Sequence, residues 1–308
     1  MFQFKGFHFN YVGRRGWFVA FSALTVLASL IIITTKGLNF GTDFKGGTNL
    51  QFRFSQTVSE STVRKTLDPL NLGGFSVQKI GKSEENRLIV KMEKHQEESR
   101  NLSTQVTEAL KKNLGADTVT LEQDETVGPK AGADLRKKAE LAIIVSWVLI
   151  LIYIGFRFDF AFAPGAIVAL IHDVILALGG FALTGREISL TVVAAILTII
   201  GYSINDTIII YDRIRENLQK EIKLSFKDIV NVSINEMFPR TIITSFTVFL
   251  VVALMYFFGE GEFQNFGFAM IIGVITGVYS TLSVACPLYI WIKENESLFQ
   301  KLSTQKSS

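Results

Sequence analysis

The sequence predicts an α-helical polytopic membrane protein with six transmembrane helices, plus a small α+β ferredoxin-like (βαββαβ) external domain between helices 1 and 2. Three observations carry that expectation. The chain of 308 residues is 48% hydrophobic with 26 Phe, and its mean hydropathy of +0.33 is too high for an ordinary soluble domain. Six stretches are long and apolar enough to cross ~30 Å of hydrocarbon. One polar segment, 37–135, interrupts them and alternates strand and helix patterns.

The spans are expected at 17–36, 139–157, 162–184, 188–211, 240–258 and 263–291. The first reads as an anchor, because its apolar part is long and the KGLNFGTDFKGG that follows has no usual small-residue cleavage site. Beyond it, TNLQFRF (48–54) alternates as a strand, and SESTVRKTLDPL (59–70) reads as a capped helix. GFSVQKI (74–80) and NRLIVKM (86–92) pair as a hairpin. A polar amphipathic helix over 95–113 and a strand near 117–122 complete the split βαβ order. The domains are therefore 1–36, a cytoplasmic N-terminus and first helix; 37–135, the external domain; 136–292, the remaining helices; and 293–308, a cytoplasmic tail. Within the third, residues 212–238 alternate apolar and charged positions, which predicts amphipathic connector helices along the cytoplasmic surface.

Charge excludes several functions. The formal net charge is +3 and the basic residues are dispersed, so an isoelectric point near 8.8 fits loops facing anionic lipid and does not imply nucleic acid. With 13 basic and 14 acidic residues between 37 and 135, the external domain has no field to capture a polyanion. His95 stands alone in EKHQEE and reads as surface decoration; no metal site or other cofactor is expected. No Gly-rich GK[ST] loop offers a nucleotide site, and no external catalytic set suggests an enzyme. The lone Cys286 excludes an intrachain disulfide. Lys5, Arg14, Arg15, the group Arg213, Arg215, Lys220, Lys223 and Lys227, and Lys293, Lys301 and Lys306 place both termini in the cytoplasm. Lys36 and Arg136, Lys137 and Lys138 oppose that orientation, but they flank a long translocated domain, where charges weigh less.

The ionisable residues inside the spans are the functional candidates. Asp206 lies in the apolar run Leu190 to Tyr211 beside Asn205, where a lipid-facing carboxylate would cost at least ~2.5 kcal/mol. It sits about five residues from Tyr211, or roughly 8 Å along the helix, and shares a face with Tyr202, Ile209 and Arg213. Arg240, opening the fifth span after Pro239, is its expected interhelical partner, and protonation of the carboxylate would part them. His172 and Asp173 fall near the middle of the third span, as a proton relay or a hydrogen-bonded clasp. Gly201, Gly273 and Gly277 offer flat surfaces for helix packing.

These residues carry a resemblance to the SecD/SecF family of bacterial protein-translocase subunits, within the RND superfamily. The matching pieces are DFKGGT (43–48), VGPKAGADL (127–135), GFRFDF (155–160), LIHDV (170–174), GYSINDTIIIYDRIREN (201–217) and PRTIITS (239–245). They span nearly the whole chain, and the external region has the small size found on the SecF side of the family. Met237, Phe238 and Pro239 depart from the usual approach to Arg240. The resemblance implies an inner-membrane auxiliary subunit that works with SecD beside the SecYEG channel, with YajC a further candidate partner. It would use proton-motive force to promote late export of unfolded secretory polypeptides. It also implies that Asp206 is the proton-responsive carboxylate and Arg240 its basic partner. Asp43, Gly46 and Gly47 resemble the signature leading into the external domain, and Gly128, Pro129 and Gly132 the one leading out. Glycines at both attachments are expected to allow that domain to swing. A half-size proton-coupled transporter of a small solute or lipid, acting as a homo-oligomer, is the alternative.

Overall fold

The computed structural model describes residues 9–70, 72, 74–80, 85–93, 99–158, 160–220 and 223–295. His95, Lys5, Lys301, Lys306 and the first turn expected at 95–98 lie outside them. In chain order the elements are α1 (Arg15–Lys36), α2 (Thr42–Lys45), β1 (Gly47–Phe54), α3 (Glu60–Leu67), β2 (Phe75–Ile80), β3 (Arg87–Glu93), α4 (Ser99–Leu114) and β4 (Val119–Val127). Then follow α5 (Pro129–Arg157), α6 (Ala163–Thr184), α7 (Leu190–Gln219), α8 (Phe226–Phe258), α9 (Glu262–Ser280) and α10 (Cys286–Glu294). A π-turn over Thr281–Ala285 joins α9 to α10, so among the described residues six helical rods are long and apolar enough to span a membrane.

The external domain has the expected βαββαβ order, with an antiparallel sheet arranged β2-β3-β1-β4. Period-two alternation explains its core. Leu50, Phe52 and Phe54 of β1 point to one face and are buried under Val63 and Leu67 of α3 and Val106 and Leu110 of α4. Ser59 caps α3 by accepting from the Thr62 amide at 3.2 Å. On the opposite face Glu122 holds Arg53 at 2.7 Å and Arg87 at 3.2 Å.

Three helices run past the ends of their apolar stretches. α5 starts at Pro129, immediately after β4, so the segment expected to close the external domain is already helical. The expected connector 212–238 is not a separate surface element: α7 continues through it to Gln219 and α8 begins at Phe226. The two extensions hold each other, Arg213 to Glu236 at 2.6 Å and Asn217 to Ser233 at 2.9 Å. Pro239 consequently sits inside α8 instead of opening a helix. The N-terminal strap lies against the same extension, with the Phe9 amide donating to Asn235 at 2.8 Å and the Val12 amide to Asn231 at 3.2 Å.

In the bundle α6, α7 and α9 form the interior, while α1 and α5 are largely uncovered. Small residues set the spacing. A Cβ on Gly179 would lie 2.6 Å from Ser29 of α1, one on Gly273 2.2 Å from Ile199, and one on Gly277 3.1 Å from Ser203. Gly201 differs: it is exposed, and a Cβ added there would meet nothing within 4 Å, so it sets no helix spacing among the described residues.

The domain is tied to the bundle at its root. The Gly41 amide donates to the Ile188 carbonyl at 2.9 Å, and the Ile188 amide to that of Asn39 at 2.8 Å. Asp43 accepts from the Leu190 amide at 2.8 Å, placing a carboxylate on the N-terminus of α7. Lys91 pairs with Glu187, and Arg87 reaches Glu260 at 3.8 Å. The entry and exit signatures pack on one another: a Cβ on Gly46 would be 2.8 Å from Pro129, and one on Gly132 2.9 Å from the Phe44 carbonyl oxygen. Gly46 also has φ 78°. Gly46→Ala therefore meets both a left-handed backbone and a backbone clash, and should cost ~2 kcal/mol or more. Gly128, with φ −68° and open space around it, should accept alanine at little cost. Unfolding midpoints of the two variants in detergent check this; equal losses would count against the packed-joint account.

Candidate functional site

The buried polar groups of the bundle gather around α7. Asp206 is 1% exposed and accepts from Ser245 of α8 at 3.3 Å. The same hydroxyl accepts from Tyr202 at 3.0 Å, so the phenol, the serine and the carboxylate form a short chain. The Tyr202 and Asp206 spacing of four residues places them one turn apart on one face, as expected.

Arg240 does not complete an ion pair with Asp206. It is exposed, although close enough for its charge to act on the carboxylate. The helix explains the separation. Ser245 occupies the α8 face turned to Asp206, and Arg240, five residues earlier, lies roughly 140° around the axis. Thr241 instead shares the Ser245 face, with its buried hydroxyl unpartnered. Arg213 is turned away to Glu216 and Glu236, each at 2.6 Å. Asn205 is exposed, one turn beyond Gly201.

Asp173 is fully buried and has three hydrogen-bonding neighbours. Ser203 of α7 reaches it at 2.6 Å, Ser280 of α9 at 2.9 Å, and His172 Nδ1 lies 3.0 Å from its other oxygen. The adjacent His172 and Asp173 thus touch while serving different directions: the carboxylate faces α7 and α9, whereas His172 Nε2 is buried without a partner. Next to this network Thr207 and Thr281 are 2.9 Å apart.

Ser203 and Asp206 are three residues apart, about 4.5 Å along the axis. The donors of one carboxylate and the other carboxylate therefore occupy neighbouring turns of α7. A buried carboxylate supported by hydroxyls bears a desolvation cost that gaining a proton relieves, which suits this cluster to proton exchange. The sequence pattern pointed to both aspartates, His172 and Tyr202. It did not single out Ser203, Ser245 or Ser280; the available signal was that Ser203 is three residues before Asp206 and Ser280 three after Gly277.

Six long apolar helices around a titratable core, with a small α+β domain at one end, define a multi-pass membrane protein of the transport kind. The chain belongs to the SecD/SecF family of protein export membrane proteins. The family described as "Protein export membrane protein SecD/SecF, C-terminal" matches residues 105–295, and the "SecD/SecF GG Motif" matches 31–58, which contain Gly46 and Gly47. Among similar chains, protein translocase subunit SecF of Calditerrivibrio nitroreducens is 39% identical over 92% of this chain and 94% of that one. SecF of Magnetococcus marinus is 40% identical over 93% and 92%. The crystal structure of SecDF, a translocon-associated membrane protein from Thermus thermophilus, superposes with a TM-score of 0.81 at 33% identity. That match covers 96% of this chain but only 40% of the SecDF chain.

The shared carboxylate makes the two serines interdependent. Ser203→Ala and Ser280→Ala should each destabilise the bundle by about 1 kcal/mol. The double variant should lose measurably more or less than the sum, because both donate to one oxygen of Asp173. Strict additivity in a detergent unfolding cycle would dissociate the two contacts.

Proposed function

We propose that this chain is an auxiliary, non-enzymatic subunit of the Sec protein translocase that acts with SecD. It uses the proton-motive force across the bacterial inner membrane to promote late export and release of secreted polypeptides. The observation that carries this reading is Asp206: a carboxylate 1% exposed, held by Ser245 without an ion pair, in a chain whose relatives are named SecF. Protonation is the chemical event, and no cofactor is required. SecYEG, YajC and the unfolded polypeptide are the further partners on this reading, with both termini cytoplasmic and residues 37–135 outside.

The surface for SecD is an exposed strip of α7. Ala194, Thr198, Gly201 and Asn205 recur at spacings of four, three and four, and all are exposed. Such a flat, weakly polar line suits close helix contact in a membrane. Arg240, exposed and near Asp206 without pairing to it, is free to meet charge brought by SecD.

Two measurements bear on these assignments. In vesicles holding SecYEG, SecD and a secretory precursor, Asp206→Asn should abolish the dependence of late translocation on the proton gradient, and Arg240→Ala should weaken it. Undiminished dependence in the asparagine variant would remove Asp206 from the mechanism. Gly201→Leu should lower co-purification of SecD while leaving the isolated chain's unfolding midpoint within the ordinary ±0.5 kcal/mol of a surface change, since its Cβ meets nothing within 4 Å.

A further inference from the structure

A cavity of about 550 Å³ opens between α1, α6 and α10. It extends from Arg15 to Val26 along α1, eleven residues or ~16 Å, roughly half of a ~30 Å hydrocarbon core. Its walls are almost wholly apolar, including Leu288 of α10. It is open on its outer side, where Val168 is 43% and Trp291 52% exposed.

Four polar side chains break the apolar lining: Ser22 and Ser283 bond each other at 3.3 Å, whereas Arg15 and His172 each keep one nitrogen without a partner among the described residues. Arg15 Nη1 is buried and unbonded, although Nη2 reaches Glu294 at 3.4 Å. Glu294 is also held by Lys227 at 2.6 Å, so two cations share one carboxylate at the mouth. The other unpartnered nitrogen is His172 Nε2 in the inner wall. The ring of Tyr279, 6.2 Å from that of His172, carries the hydroxyl that Ser22 meets at 3.3 Å, which places this level about 10 Å inward from Arg15. A charged mouth above an apolar slot one leaflet deep follows the order of headgroup phosphate and acyl chain, with the His172 nitrogen well down the inner wall. Trp291 at the mouth marks the interfacial level.

We propose that the groove between α1, α6 and α10 binds one anionic phospholipid of the leaflet opposite the external domain, its phosphate on Arg15 and an acyl chain along the slot. The excess cation at the mouth selects an anionic headgroup. The unpartnered Nη1 donor is satisfied by a phosphate oxygen. The acyl chain covers the side of α6 behind Asp173 and shuts water out of that face of the buried cluster.

The full-length chain, reconstituted in phosphatidylcholine vesicles doped with phosphatidylglycerol carrying a diazirine in its acyl chain, provides the test. Illumination and peptide mapping should concentrate adducts in 19–26 and 284–288, which line the slot. Arg15→Gln should reduce those adducts about fivefold, the value of one cation at an anionic surface, and Arg15→Lys should retain them. Ala23→Phe fills the slot from an exposed position and should bring labelling down to the background on α5. Adducts spread evenly over all lipid-facing helices would overturn the proposal, as would labelling indifferent to Ala23→Phe. Loss of labelling when SecD is co-reconstituted would assign the groove to a partner helix, and the lipid site would fall.

Discussion

A carboxylate buried in a membrane bundle has to be met by donors, and much of this structure follows from how Asp173 meets that demand. Its neighbour His172 lies within hydrogen-bond distance of one oxygen, and the other oxygen is met by two serines. Serine has a short side chain, so the helices carrying it must approach closely. Gly277 faces Ser203 and Gly273 faces Ile199, letting α9 lie against α7 at a separation that larger residues would prevent. The glycines and the serines are therefore parts of one solution. Widening the contact would leave the carboxylate short of donors in a medium that offers none.

The same physics determines what could be read from the sequence. Hydropathy locates the spans because the bilayer imposes length and apolarity on each helix independently. It says nothing about where a helix stops once it has left the hydrocarbon. The extensions of α7 and α8 are held by Arg213 with Glu236 and Asn217 with Ser233, contacts between helices that no local pattern encodes. Asp206 is conspicuous as a charge in an apolar run, whereas Ser245 is one hydroxyl among many. Arg240 shows the limit most clearly. Its depth in the chain suggested a pair with Asp206, but a rotation of roughly 140° between positions 240 and 245 turns it to the surface. The βαββαβ domain was legible in nearly all its elements because alternation and capping are local signals.

The signature glycines illustrate how one residue type admits opposite readings. Glycine allows motion, and it also allows contact. Gly46 and Gly132 are occupied by close backbone approaches from the other signature, so they join the domain's entry and exit into one knot. Asp43 extends that knot to the first amide of α7. Displacement of the domain root therefore bears directly on the helix that carries Asp206, since the two are linked by a charge-assisted hydrogen bond instead of a loose connector.

The last membrane rod contains the remaining device. Pro287 lacks an amide hydrogen, so a continuous α-helix would leave the Ser283 carbonyl without its bond and crowd it against the proline ring. The π-turn over Thr281–Ala285 falls just before that position and takes in the extra residue. An inserted residue rotates everything after it by roughly 100° relative to an unbroken helix. With this rotation Cys286, Tyr289 and Ile290 all face the interior, and the ring of Tyr289 stacks on Phe162 at 3.9 Å. Ser280 and Thr281, at the start of the turn, keep the α9 register that sets them against Asp173 and Thr207. One local irregularity thus lets a single rod satisfy two differently oriented demands, donors for the carboxylate on one side of the turn and aromatic packing on the other.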